Sequence, residues 1–149
     1  MRLQLLNDSL LDRVPGSQPV TVYHGTSSTF LPSILKYGLL AGKGELGQCN
    51  DLSVTVDQSY TKQWLEDAVR RNGGVPIILK MDLPRGKLMV NKENMRHTSD
   101  SRQVPAAFVR GGKVPSQLIS VIWANGFEEP IQAAVERLRK MNPDPKGPR

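Results

Sequence analysis

Along the chain, apolar positions switch between helical and strand spacing. Leu3, Leu5, Leu6, Leu10 and Leu11 recur at helical spacing and stop at Val14-Pro15-Gly16-Ser17, which predicts a short amphipathic lead-in. Pro19 to Tyr23 alternates β-branched and aromatic residues and predicts the first strand. Ser27 or Ser28 is placed to cap a helix over Thr29 to Tyr37, with Phe30, Leu31, Ile34 and Leu35 as its apolar side and Gly38 as its stop. Ala41 to Gln48 is glycine-rich and reads as a mobile loop. Leu52 to Val56 alternates as a strand, and Asp57 caps a helix over Gln58 to Arg71 that ends at Asn72-Gly73-Gly74.

The second half reads mainly as strands. Val75 to Leu83 is apolar and β-prone, Pro84-Arg85-Gly86 turns it, and Lys87 to Val90 is a short partner. Asn91 to Pro105 is polar and irregular. Ala106 to Arg110 and Leu118 to Trp123 are further strands linked through Gly111-Gly112, and Pro130 fits the first turn of a closing helix to Met141. Strands outnumber helices and no repeat is present, so an α+β domain with a split, mostly antiparallel sheet is expected over residues 1–141. Residues 142–149 hold three prolines and no core residue, so a disordered tail is expected there.

Composition narrows the chemistry. A chain of 149 residues has room for one core. The single cysteine, Cys49, excludes an internal disulfide, and two histidines, His24 and His97, cannot build a zinc site without carboxylates. No apolar run approaches a membrane span and no leader is evident, so a reducing, cytoplasmic compartment and no membrane partner are expected. The net charge of +6 favours encounter with phosphates or nucleic acid. Arg85, Lys87, Lys92, Arg96, Arg102, Arg110 and Lys113 carry much of it against only Glu93 and Asp100.

The most informative stretch is Val20-Thr21-Val22-Tyr23-His24-Gly25-Thr26, which places a histidine, a glycine and a hydroxyl where a strand ends and a helix soon follows. A glycine there lets backbone approach a ligand closely, and its N–H and C=O can bond an amide. Tyr23-His24-Gly25-Thr26 is followed by Ile34 to Leu39, then Leu52-Ser53-Val54-Thr55 before a helix, then Pro76 to Asp82. In that order these elements resemble the ADP-ribosyltransferase superfamily, over about Val20 to Ile122. Within it the chain is similar to the histidine-tyrosine-glutamate branch, with RNA 2′-phosphotransferases, which share the His-Gly-Thr element, as the alternative.

The resemblance implies a split-sheet fold with NAD as substrate and assigns roles. His24 would donate to the 2′-OH of the adenosine-side ribose, the Gly25 backbone would hold the nicotinamide carboxamide, and Thr26 would shape the ribose site. Ser53 stands where the branch keeps a stacking tyrosine, which leaves Tyr60 and Trp64 as the available rings. The branch carries a glutamate on a third strand, where it stabilises the oxocarbenium-like transition state. Here that stretch is Gln103-Val104-Pro105-Ala106-Ala107-Phe108-Val109, with Ala107, or in the alternative register Ala106, at the expected position and Gln103 the nearest polar substitute. Either the glutamate was replaced, or the domain naturally lacks it and binds NAD without efficient transfer. The resemblance thus implies a small toxin- or effector-type mono-ADP-ribosyltransferase. Its partners would be NAD, a macromolecular acceptor such as RNA or a protein, and an immunity or antitoxin protein. A catalytically inactive NAD- or ADP-ribose-binding module is the further alternative.

Overall fold

The computed structural model describes residues 14–41, 52–89 and 106–141. Nine strands and three helices lie within them. The strands are β1 Pro19–Ser27, β2 Leu39–Leu40, β3 Leu52–Thr55, β4 Pro76–Pro84, β5 Leu88–Met89, β6 Ala106–Val109, β7 Lys113–Val114, β8 Ile119–Trp123 and β9 Glu128–Pro130. The helices are α1 Leu31–Tyr37, α2 Thr61–Asn72 and α3 Ile131–Met141. The chain is therefore α+β, and every pairing described is antiparallel.

Seven strands form one sheet in the order β5-β6-β3-β1-β4-β8-β9, while β2 pairs with β7. The sheet curls. β4 and β5 stand four strand spacings apart, roughly 19 Å across a flat sheet. Pro84 and Leu88 are joined by only three residues, which reach roughly 14 Å when fully extended. The strands between them must bend to bring those ends together. One face consequently collects Val20, Val22, Val54, Leu79, Met81, Leu88, Val109 and Val121 into a single core, which α1 and α3 close with Leu31, Ile34, Ile131, Ala134 and Val135.

Local chemistry explains the boundaries. Ser27 caps the turn at Ser28–Phe30 by accepting from Thr29 N–H at 3.2 Å, and Asp57 caps the segment at Gln58–Tyr60 by accepting from Ser59 N–H at 3.0 Å. Both helices expected after these caps open instead with a 3₁₀ turn, Ser28–Phe30 and Gln58–Tyr60, before turning α-helical. Gly38 at φ 87° and Gly73 at φ 75° end α1 and α2. Pro130 does not open α3; it ends β9, an edge strand where a missing N–H is tolerated. β2, β7 and β9 have only two or three residues each, too short for alternation to show.

The extent of β1 departs from expectation. His24-Gly25-Thr26 lies inside the strand, which runs on through Ser27 opposite Pro76. The reason is the partner: apolar β4 offers nine consecutive rungs, so pairing continues past the local punctuation of Gly25. The lead-in at Leu3 to Leu11, most of the loop to Gln48, the polar stretch 91–105 and the tail lie outside the described residues. None of the described helices is long and apolar enough to cross a membrane.

Candidate ligand site at the seam between β1 and β3

β1 is bound to its two neighbours very unequally. Nine rungs join it to β4, and one, Tyr23 to Thr55, joins it to β3. The direction of the backbone groups on either side of that rung can be read from the ends of β1. Ser28 N–H donates to Val75 C=O, and Arg85 N–H donates to Gln18 C=O. Even-numbered residues of β1 therefore turn their amides to β4, and alternation turns Tyr23 and Gly25 to β3. Tyr23 meets Thr55 there. Gly25 is buried, yet the ladder to β3 gives it no rung.

The partner that Gly25 would have met is engaged by a side chain. His24 Nδ1 lies 2.8 Å from Ser53 C=O. Because a carbonyl only accepts, Nδ1 carries the proton and donates, and in a neutral ring Nε2 is then an acceptor. Burial holds the imidazole below its ordinary 6.5, against the weaker upward pull of the Ser53 bond. The ring is thus neutral at pH 7. Its free ring nitrogen, Nε2, therefore presents an acceptor rather than a donor.

α2 supplies the cover. A Cβ on Gly25 would stand 2.6 Å from Thr61 C=O and 3.3 Å from Leu65 Cβ, so only glycine allows the helix this close to β1. One turn along from Thr61, Trp64 brings its ring to 5.7 Å from the imidazole centroid at an interplanar angle of 44°. Thr26 is buried beside these groups, and its hydroxyl makes no hydrogen bond among the described residues. Ser27 and Ser28, both buried, tie the end of β1 to the turn after α2: Ser27 Oγ donates to Gly73 C=O, and Ser28 Oγ accepts from Val75 N–H at 3.0 Å.

The structure thus brings together His24, Gly25, Thr26, Trp64 and the backbone of Ser53. Among the described residues the imidazole's ring partner is Trp64 and not Tyr60, whose backbone N–H bonds Asp57 C=O at 3.0 Å. Ser53 contributes its carbonyl rather than a side chain. Ala107 pairs with Val54, one step from Thr55, and so shares a face and a cross-strand row with His24. Its methyl is 1% exposed and packs in the apolar core, so it supplies packing and no reactive group. Gln103 lies outside the described residues. Sequence reasoning missed Thr61 and Leu65, although the Asp57 cap sets the helix phase and Thr61, Trp64 and Leu65 recur at helical spacing. Compared with family models and with curated proteins, the chain matches none.

Proposed function

We propose that this chain is an ADP-ribosyltransferase-type domain that binds NAD at the seam between β1 and β3, and that it turns NAD over slowly. The observation that carries the reading is a buried glycine, Gly25, whose amide faces a ladder that has ended, beside a neutral imidazole with one ring nitrogen still able to accept. A carboxamide has one N–H donor face and one C=O acceptor, which match the C=O and N–H of Gly25. A ribose hydroxyl fits Nε2 of His24 as donor. Trp64 offers a flat apolar surface for the nicotinamide ring.

Turnover needs more than binding. As nicotinamide leaves, positive charge builds on the ribose, and a fixed carboxylate would favour that transition state over the ground state. Ala107 offers none. Ala107→Glu is expected to raise nicotinamide release at least about a hundredfold, the scale of one preorganised electrostatic contact. Release is followed by chromatography alongside NAD affinity by calorimetry. The apolar packing around Ala107 favours a second reading, a module that only binds NAD or ADP-ribose. A folded Ala107→Glu protein that binds NAD without acceleration would select that second reading.

A further inference from the structure

Two tight turns with basic residues and glycine, far apart in sequence, are joined side by side. Arg85-Gly86-Lys87 connects β4 to β5, and Arg110-Gly111-Gly112 follows β6 and leads to Lys113. Arg110 Nε donates to Gly86 C=O at 3.0 Å, which fixes one turn against the other. Arg85 braces its own turn by donating from Nη1 to Leu88 C=O at 2.7 Å. Gly86 N–H in turn bonds Gly16 C=O at 2.9 Å, anchoring the pair to the start of β1. Gly111 at φ 80° and Gly112 at φ 63° hold the second turn in a left-handed shape that side chains disfavour.

The cations are presented outward. Lys87, Arg110 and Lys113 are exposed, and none forms an ion pair among the described residues. Neither turn contains an acid, whereas Arg70, Arg71, Lys80 and Arg137 elsewhere all pair with carboxylates. Among the described residues, the exposed large apolar side chains, Tyr37, Val75, Leu118, Phe127 and Met141, all lie outside these turns, which therefore present cations without the apolar residues a membrane interface would bury. Exposed cations on two hydrogen-bonded turns, beside the exposed glycines Gly86 and Gly111, suit a repeating chain of anions that must come close.

We propose that the paired turns are a docking surface for the phosphodiester backbone of a nucleic acid. Binding there stands on these turns alone; only the further idea that the bound strand accepts ADP-ribose rests on the proposed function. Three neutralised phosphates on a single strand predict a log–log salt slope of about −2, at roughly −0.7 per phosphate.

The test is fluorescence anisotropy of the full chain with a short single-stranded RNA, the same sequence as DNA, and polyglutamate, across a salt series. The native protein is expected to bind RNA and DNA at low salt with that slope and to bind polyglutamate more weakly. Replacing Lys87, Arg110 and Lys113 together by Gln should weaken nucleic-acid binding at least tenfold and flatten the slope by about 2. A control with Lys36, Arg139 and Lys140 changed to Gln carries the same net charge and should keep most of the affinity. Thermal melting, expected to fall only slightly from loss of the exposed Arg110–Gly86 bond, and NAD affinity, expected to be unchanged in both variants, separate loss of this surface from loss of the fold or of the seam. Equal weakening by the two variants, polyglutamate binding as tight as RNA, or no binding at low salt would each overturn the proposal. A preference between RNA and DNA would identify which strand the surface serves.

Discussion

The seam between β1 and β3 and the edge formed by β8, β9 and α3 each bury an ionisable group near an indole, but they treat it oppositely. At the edge, Glu129 accepts from Trp123 Nε1 at 2.7 Å and from Arg137 Nε and Nη2 at 2.7 and 3.1 Å. Arg137 then lies 4.8 Å over the Phe127 ring. Those donors hold the Glu129 carboxyl below its ordinary range, the Arg137 bond most of all. At the seam, His24 makes one bond, stays neutral, and sits beside a Gly25 amide without a rung. A buried polar group with all its partners supplied by the chain holds the fold together. One whose partners are incomplete is where a ligand has bonds to gain.

The comparison can be broken from either side. The largest effect is expected at the edge: Glu129→Ala strands the Trp123 N–H and the Arg137 charge and should cost about 2–4 kcal/mol of stability in urea unfolding. The lower part of that range is favoured because Arg137 is partly exposed and can turn to water. NAD affinity of the folded fraction should not change. Gly25→Ala comes next. Its Cβ would stand 2.6 Å from a backbone oxygen of α2, so about 1–3 kcal/mol of overpacking is expected together with loss of NAD binding.

Much of the fold was legible and much of the site was not, for physical reasons. The β-branched alternation of β1, the apolar run of β4 and the caps at Ser27 and Asp57 are local signals, and they placed most of the elements well. The His-Gly-Thr element lies on the strand that forms the seam, but its three residues read as a strand end because Gly25 looks like punctuation. Only the register with β4, where Ser27 meets Pro76 far along the chain, shows that the strand continues. Which rung is missing depends on how β3 meets β1, a long-range fact that no window of sequence contains. The Glu129 cluster was missed for a related reason: an acid next to a proline on a three-residue strand carries no periodicity.

pH separates the two regions further. The neutral His24 resists protonation when folded, so the unfolded chain takes up a proton that the folded one does not once pH falls below about 6.5. Stability should therefore decline as pH falls from 6.5 towards the lowered folded value, with a slope of at most about 1.4 kcal/mol per unit, and His24→Gln should remove that decline. Glu129 acts later: its contribution is full above its ordinary 4.5 and is lost as pH falls through the lowered folded value. Urea midpoints from pH 8 down to about pH 2 would resolve both. The smallest effect belongs to Trp64. NAD should quench its emission, and Trp64→Phe should retain about 0.5–1.5 kcal/mol more NAD affinity than Trp64→Ala.

Calorimetric titration of NAD into the native chain and into His24→Ala asks whether the seam between β1 and β3 is the ligand site. One binding site is expected in the native chain. In the variant, losing the acceptor at Nε2 should weaken that site by about 1–3 kcal/mol, which is roughly 5- to 150-fold, with unfolding measured in parallel to confirm that the variant is folded. Absence of NAD binding to the folded native chain, or equal affinity in the two proteins, would contradict the assignment of the seam as the ligand site.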